Sequence, residues 1–407
     1  MKTATLPSNS QAELVRIDGF PVGYYDDLHP DVSLNYQMNR FSTGEPAMLD
    51  EIRTVAPRIH DYADYTREFL ELGDAALSRG DNLEGAYYIR SAEFYMGADD
   101  PRKQPTRRQY LELMRTYYDL ADRHFDVPYE TGVLSAFRPS PPAQPKGVIV
   151  LFCGFDSYIE EAFPMQLYFR EAGYDVVSFD GPGQGTVLED GHMPMTSDWH
   201  KPVKAVLDYF DLEDVTLIGV SLGGCLAIRA AAYEPRVSRV VANDILTDFF
   251  EGLLGQMKPS TRKELEKLLE LRADHVIDKV VGHAMKNSLV LGWGIQQGML
   301  VTGTSSPSEF FHTMQGYRTD DISALITQDV LLLAGAEDHY VPLHQLDDQI
   351  RTLTHARSIT SRVFTREEQA HEHIQVGNYG LQYRVIKNWI ELTQDKERLM
   401  QSQAPQP

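Results

Sequence analysis

The stretch Val215-Thr-Leu-Ile-Gly-Val-Ser-Leu-Gly-Gly-Cys-Leu-Ala-Ile-Arg-Ala-Ala-Ala232 indicates the fold of this 407-residue chain. A short, mostly apolar run ends at Ser221, which stands between Gly219 and Gly223, and an Ala-rich helical segment follows directly. This order predicts a strand, a sharp turn and a helix. Such a turn presents a serine above the edge of a sheet, and it needs flanking glycines because side chains there would collide with neighbouring backbone.

Composition and charge narrow the class of protein. Hydrophobic residues make up 42% of the chain, which is enough for a large core. The net charge of −21 opposes binding to nucleic acid or to an anionic membrane, because both are polyanions. Residues 1–20 carry no apolar signal segment, and the longest apolar run, 147–155, is too short to span a bilayer. We therefore expect a cytoplasmic protein without a nucleic-acid or membrane partner.

The spacing of apolar residues divides the chain into regions. The N-terminal region 1–125 is predicted to be helical and to form part of a lid: it starts with a polar, irregular segment to about residue 30, and apolar residues at three- and four-residue spacing follow from about 32 to 125. Strands alternate with helices over 126–245 and 326–398, which predicts a mostly parallel sheet with helices on both faces and an antiparallel start. The alternation stops over 246–325, where we expect a helical cap inserted above the carboxyl ends of the strands. The polar segment 399–407 is predicted to be a disordered tail.

A serine becomes a good nucleophile only when a base takes its proton and an acid orients that base. The run Asp329-Val-Leu-Leu-Leu-Ala-Gly-Ala-Glu-Asp338 reads as an apolar strand that ends in a turn. Its last residue, Asp338, would lie at the same edge of the sheet as Ser221, and we expect it to be the acid. The alternatives are Glu337 beside it and Asp244 or Asp248 after the preceding strand.

The base is sought after the last strand and before the final helix, because these catalytic groups follow the chain order serine, acid, histidine. That position holds His371 and His373 in the run Gln-Ala-His-Glu-His-Ile-Gln. We prefer His373, with His371 as the alternative. The run does not predict a metal site, since no third ligand cluster accompanies it and His-Glu-x-x-His is absent from the sequence.

An oxyanion hole needs two backbone N–H donors near the nucleophile. Leu222 supplies one at the start of the helix after Ser221. The loop after the third predicted strand reads Leu-Phe-Cys-Gly-Phe-Asp-Ser-Tyr-Ile-Glu160. Gly154 in that loop permits close backbone approach, so the N–H of Phe155 is the second candidate donor. Asp180-Gly-Pro-Gly-Gln-Gly185 lacks the lysine and the spacing of a phosphate loop, which favours a structural turn near the site.

Together these motifs give the chain a resemblance to the α/β-hydrolase superfamily. Within it, the chain looks like the serine hydrolases with an N-terminal helical lid domain, a group that includes 2,6-dihydroxypseudooxynicotine hydrolase, fungal polyketide-shortening pigment hydrolases and the fermentation-respiration switch protein. The resemblance covers most of the chain: its first motifs are at 34–40 and 88–95, and its last is at 375–378. The sequence motifs most specific to the group are at 154–161 and 180–185. The resemblance implies an α/β-hydrolase fold, Ser221, Asp338 and His373 as the triad, and helices that roof the site.

The resemblance also implies a small-molecule hydrolase that needs no cofactor or metal and forms a homodimer. The expected reaction is cleavage of a carbon–carbon bond beside a ketone in an aromatic or polyketide-like substrate. A carboxylesterase or thioesterase is the first alternative, and a non-catalytic binding protein on a hydrolase scaffold is the second. Gly154 and three residues of the loop after it, Asp156, Tyr158 and Glu160, are the candidates for substrate binding. The last three would bind substrate hydroxyls, with loop capping or solvent exposure as the other interpretation of each.

Overall fold

The computed structural model describes residues 14–255, 257–287 and 289–403. The described chain starts with a short hairpin, β1 (Arg16–Ile17) and β2 (Phe20–Pro21), and continues into helices α1 (Val32–Arg40), α2 (Pro46–Val55), α3 (Tyr62–Arg79), α4 (Asn82–Phe94) and α5 (Lys103–Tyr117). The sequence did not predict the hairpin, because strands of two residues are too short to show an alternating pattern. The Asp31 carboxylate caps α1 by accepting from the Leu34 N–H at 3.0 Å, and α3 ends at Gly80 with a φ of 86°.

A mixed sheet forms the centre of the molecule. Its strands are β3 (His124–Tyr129), β4 (Gly132–Phe137), β5 (Val148–Phe152), β6 (Asp175–Asp180), β7 (Val215–Val220), β8 (Val237–Asn243), β9 (Asp329–Gly335) and β10 (Ser358–Phe364). Their order across the described part of the sheet is β10-β9-β8-β7-β5-β6-β4-β3. The strands from β10 to β6 pair in parallel, whereas β4 pairs antiparallel with β6 and with β3. The predicted mostly parallel sheet with an antiparallel start is confirmed.

Helices cover both faces of this sheet. The flanking helices are α6 (Phe163–Glu171), α7 (Gly185–Glu189), α8 (His200–Phe210) and α9 (Leu222–Ala231). One face packs Leu217 of β7 against Trp199 and α9, and the other packs Ile218 of the same strand against Phe169 of α6. Because both faces are covered, the central strands are apolar throughout rather than alternating.

The region between β8 and β9 is a layer of helices: α10 (Phe249–Gly255), α11 (Pro259–Glu270), α12 (Asp274–Met285), α13 (Leu289–Thr302) and α14 (Pro307–Met314). Helix α15 (His344–Thr352) lies between β9 and β10, and α16 (Tyr379–Gln403) follows β10. None of the helices in the described ranges is long and apolar enough to cross a membrane.

The structure assigns a helical conformation to 399–403, the first part of the tail that the sequence predicts to be disordered. Helix α16 continues to Gln403, because Asp-Lys-Glu-Arg-Leu-Met-Gln over 395–401 consists largely of good helix formers. The remainder of that tail, 404–407, lies outside the described residues.

Candidate active site

Ser221 lies on a strained turn between β7 and α9. Its backbone has φ 60° and ψ −127°, a conformation that non-glycine residues adopt at a cost and that is typical of a nucleophile elbow. A Cβ atom added at Gly219 would lie 1.9 Å from the carbonyl oxygen of Gly223, and one added at Gly223 would lie 2.8 Å from that of Cys153. The glycines therefore flank the serine because no side chain fits at either position.

A chain of hydrogen bonds joins the three side chains that the sequence singled out. Ser221 Oγ lies 2.8 Å from His373 Nε2, and His373 Nδ1 lies 2.7 Å from Asp338 Oδ2. The other carboxylate oxygen of Asp338 accepts from the N–H groups of Tyr340 at 2.7 Å and Val341 at 2.9 Å. Asp338 is thus fixed by the turn after β9, and it orients the imidazole so that Nε2 faces the serine.

The alternatives that the sequence left open lie elsewhere. His371 is buried against the ring of Tyr24, and neither of its ring nitrogens hydrogen-bonds to another group in the described ranges. Glu337 is exposed and pairs with Arg366, while Asp248 accepts from the Glu251 N–H at the start of α10. The structure therefore brings none of these three side chains to Ser221.

Asp244, the remaining alternative, is a second acid beside the imidazole. Its Oδ2 lies 3.4 Å from His373 Nδ1, and its two oxygens also accept from the Ile374 N–H at 2.6 Å and the Gln375 amide at 2.7 Å. Sequence reasoning treated it as a substitute for Asp338. The structure instead places both carboxylates against the same nitrogen.

The two carboxylates set the electrostatics of His373. Burial opposes the imidazolium charge, but Asp338 and Asp244 outweigh it and raise the pKa of His373 above its usual range. Burial also opposes ionisation of Asp338, yet His373 and the two backbone donors outweigh it and lower the pKa of Asp338. Burial dominates at Asp244 and raises its pKa. Asp338 is thereby kept ionised, whereas Asp244 takes up a proton more readily.

The loop after β5 passes directly over the start of α9. A Cβ atom at Gly154 would lie 2.7 Å from the amide nitrogen of Leu222, so only glycine permits this approach. Neither the N–H of Leu222 nor that of Phe155 donates a hydrogen bond to another atom of the described residues. Both groups are thus unpaired near Ser221, which is what an oxyanion hole requires.

Gln184, which the sequence did not single out, holds this loop from one side. It belongs to the Asp180–Gly185 turn, and its Nε2 donates to the carbonyl oxygens of Cys153 at 2.5 Å and Gly154 at 3.0 Å. Its Oε1 in turn accepts from the Gly181 N–H. The predicted structural turn therefore fixes the peptide units that precede Phe155.

Two buried arginines of the N-terminal helices hold the same loop from the other side. Arg90 of α4 donates to the Asp156 carbonyl oxygen at 2.7 Å. Arg40 of α1 donates to the Asp156 carboxylate at 3.1 Å and to Ser157 Oγ at 2.9 Å. Both arginines also pair with Glu161, at 2.8 Å each. No local sequence signal marks these contacts, because the partners lie 66 to 121 residues apart.

A cavity of about 630 Å³ lies above Ser221 and His373. The N-terminal helices and the cap both contribute to its walls, so each helical region roofs the site. Its apolar part includes Leu246, Phe249, Leu253, Met257, Leu291 and Ile295, and its polar part includes Asp31, Ser33, Tyr36, Arg40, Asp156 and Tyr340.

The candidate substrate ligands divide into two pairs. Asp156 lines this cavity, and Gly154 lies directly beneath it against Leu222. Tyr158 and Glu160 do not line it: the Tyr158 hydroxyl donates to Glu93 at 2.9 Å, and Glu160 is fully buried against Arg115 at 2.6 Å. The loop turns inward after Ser157, so these two side chains form internal contacts instead of facing a substrate.

The same geometry bears on metal binding. Ligand atoms of Asp244, Asp338 and His373 lie within 4.8 Å of one another. Both nitrogens of His373 are already engaged, one by the carboxylates and the other by Ser221. The arrangement therefore fits a hydrogen-bonded chain, and the absence of a metal stays a prediction.

Comparison with known proteins identifies the family. Residues 148–374 match the family model described as the alpha/beta hydrolase fold, and the chain belongs to this family of hydrolases. It is 29% identical to the hydrolase acrC of Aspergillus aculeatus over 77% of this chain and 84% of that one. It is also 29% identical to the 20-hydroxy-prefusarin hydrolase FUS2 of Gibberella moniliformis, over 66% and 73% of the two chains. The fold matches that of 2,6-dihydroxy-pseudo-oxynicotine hydrolase with a TM-score of 0.59 at 18% identity, covering 87% and 94%.

Proposed function

We propose that this protein is a serine hydrolase that cleaves a carbon–carbon bond beside a ketone in an aromatic or polyketide-like substrate. The observation that carries the proposal is the hydrogen-bonded chain Ser221–His373–Asp338 on the floor of a large, mostly apolar cavity. The 20-hydroxy-prefusarin hydrolase FUS2 and 2,6-dihydroxy-pseudo-oxynicotine hydrolase are named for oxygenated organic substrates, which agrees with this class.

The geometry supports the following sequence of steps. His373 Nε2 takes the proton of Ser221 as Oγ bonds to the ketone carbon, and the resulting oxyanion faces the N–H groups of Phe155 and Leu222. The carbon–carbon bond then breaks, and its electron pair passes to the departing carbon, which receives the proton held by His373. His373 then takes a proton from a water molecule as its oxygen bonds to the acyl carbon, and it returns that proton to Ser221 Oγ as the acyl–oxygen bond breaks and the acid is released.

The cavity favours a substrate with an apolar body and one polar end. The cavity-lining side chains from the cap are apolar, whereas α1 and the loop after β5 contribute polar groups to the lining. An aromatic substrate suits the apolar part of the lining, because two rings that pack on each other, Phe155 and Phe249, contribute to it. Their ring centroids lie 5.2 Å apart. Ketone and phenol oxygens would then face Asp156 and Tyr36.

Two measurements test the proposal. A fluorophosphonate probe should label the full chain at Ser221 and should fail to label Ser221→Ala, with Ser306→Ala, on the surface-facing start of α14, as the control that still reacts. An unlabelled but folded wild-type protein would leave the non-catalytic binding protein as the function.

Product analysis then separates the reaction types. Acylphloroglucinol-type or naphthopyrone-type ketones should be cleaved to an acid and a shortened aromatic product. Rapid turnover of p-nitrophenyl esters without ketone cleavage would instead establish a carboxylesterase or thioesterase. The cytoplasmic location and the homodimer remain predictions, and sedimentation of the purified protein measures the latter.

A further inference from the structure

A second cavity of about 380 Å³ lies beside the catalytic one, and we call it the tyrosine chamber. It is lined by Tyr87, Tyr110, Tyr117, Tyr118, Tyr379 and Tyr383. Its floor consists of Cys153, Val220 and Asn243, at the carboxyl ends of β5, β7 and β8. Its volume falls within the roughly 300–1,000 Å³ typical of small-molecule sites, and ligands of open α/β sheets bind at this edge.

The tyrosine chamber is distinct from the catalytic cavity. Ser221 and His373 line the catalytic cavity and are not among the residues that line the chamber. Arg40, Ser157, Val220 and Ile374 contribute to both, so they form the wall between the two spaces. The catalytic steps proposed above use no residue of the chamber other than this wall.

The charged side chains of the chamber are paired within the protein. Arg16 pairs with Glu45 at the exposed rim, and Arg40 and Arg90 both pair with Glu161 deeper inside. A charged ligand would therefore enter without a counter-charge to meet it, and burying an unpaired charge is costly. The chamber suits a neutral molecule.

Polar groups without partners point to the chemistry of that molecule. Asn243 lies beneath the lining of the chamber: it is fully buried, and its Nδ2, which donates to no described atom, has no surface open to the chamber. The side chains of Tyr110, Tyr379 and Tyr383 line the chamber, and none of their hydroxyls hydrogen-bonds to a described residue. These hydroxyls are not among the fully buried polar atoms, so they are open to the chamber. A molecule that fills the chamber displaces water from these hydroxyls, and it must supply acceptors in place of that water. The surrounding ring faces call for a flat aromatic partner.

We propose that the tyrosine chamber binds a neutral aromatic molecule bearing hydroxyl or carbonyl oxygens, separately from the compound attacked at Ser221. Such a ligand places its ring against the tyrosine faces and its oxygens within reach of the unpaired tyrosine hydroxyls. The binding does not depend on which bond the protein cleaves, so it is measured without turnover.

The test uses the full chain and 2-naphthol, a neutral two-ring phenol, in equilibrium dialysis. The double variant Tyr379→Phe/Tyr383→Phe keeps the rings and removes two hydroxyls of the chamber, and it should weaken binding about fivefold or more. The matched control, Tyr62→Phe/Tyr340→Phe, removes two hydroxyls from the catalytic cavity and should change the dissociation constant less than twofold. The anion 2-naphthoate should bind at least about tenfold more weakly than 2-naphthol.

The opposite pattern, in which only the control variant loses affinity, would overturn the proposal, because it places naphthol in the catalytic cavity. Lack of binding to the wild-type protein up to the solubility limit of naphthol would overturn it as well. Leu83→Trp, which adds bulk to the chamber wall on α4, provides a second variant if the double substitution impairs folding, and it should also weaken binding. A crystal structure of the complex locates the ligand directly: density in the tyrosine chamber supports the proposal, and density in the catalytic cavity alone contradicts it.

Discussion

Gln184 and Gly154 are joined by a hydrogen bond of 3.0 Å, from the side-chain amide of one to the carbonyl oxygen of the other. This bond turns the Gly154 peptide so that the following N–H, that of Phe155, is free of a partner among the described residues. The position of the proposed oxyanion donor therefore depends on a residue that does not touch the substrate.

Gln184→Met should lower kcat about ten- to hundredfold with KM changed less than threefold. The donor is needed most in the transition state, and a displacement of about 1 Å costs on the order of a hundredfold. Gln166→Met is the matched control, because Gln166 is also fully buried and donates to a strand carbonyl, that of Phe137, away from the site. Equal losses of kcat in both variants, measured by steady-state kinetics, would show a general effect on folding instead.

The paired carboxylates predict a shift in pH dependence. His373 acts as a base only when it is neutral, so activity rises with pH as its proton leaves. Asp244→Asn removes a negative charge 3.4 Å from Nδ1, which destabilises the imidazolium and lowers the pKa of His373. The acid limb of the kcat/KM profile should therefore move to lower pH, by up to about one unit.

Asp248→Asn serves as the control for this shift, since Asp248 caps α10 and makes no contact with His373. Its profile should coincide with that of the wild type. Asp338→Asn should instead reduce kcat about 10³- to 10⁴-fold, because the imidazole loses its orienting acid. An Asp244→Asn profile that stays in place or moves to higher pH would rule out the electrostatic role of Asp244.

Substitution of glycine by alanine is expected to have opposite effects on stability at two positions, one in the turn around Ser221 and one in helix α12. Gly219→Ala should reduce the free energy of unfolding by about 3 kcal/mol or more and abolish activity, because its Cβ would overlap the Gly223 carbonyl oxygen at 1.9 Å. Gly282→Ala in α12 has open space around its Cβ and should stabilise the protein by about 0.5 to 1 kcal/mol. Chemical denaturation of the two variants measures both changes.

The buried arginine of α4 predicts a linked loss of stability and activity. Arg90→Met leaves Glu93 and Glu161 with one cation fewer in the interior, and should cost about 3 to 5 kcal/mol of unfolding free energy. Its kcat should fall as well, since Asp156 loses a donor. Arg79→Met, which breaks two solvent-accessible pairs, with Asp81 and with Glu51, should leave both properties nearly unchanged. Full activity in Arg90→Met would refute the link between α4 and the loop.

Local sequence patterns were sufficient for the fold and for the geometry around the serine. The strand, glycine, serine, glycine, helix order around Ser221 has steric causes within a few residues, and the chain order of acid and base follows from the layout of the sheet. These features could be predicted because each is set by neighbours along the chain or by a strand end. The proposed roles of the three side chains in catalysis stay predictions.

Long-range contacts could not be predicted in the same way. Gln184, Arg40 and Arg90 reach the loop after β5 from separate elements, and no spacing in the sequence connects them. Tyr158 and Glu160 share the loop with Asp156, yet the chain turns inward between them, and only the packing of Glu93 and Arg115 reveals this. Asp244 was identified as an alternative to Asp338, whereas the fold places both beside His373.

The ion pairs from Arg40 and Arg90 to the loop after β5 also limit how this protein can evolve. Helix α1 lines the catalytic cavity and, through Arg40, also holds Asp156 next to Phe155, so a change in this helix would be transmitted to the proposed oxyanion donors. New substrate preferences are therefore expected to arise more readily in the cap between β8 and β9, which supplies walls without fixing that loop. An exchange of the N-terminal helices with those of a relative would succeed only if the loop were exchanged with them.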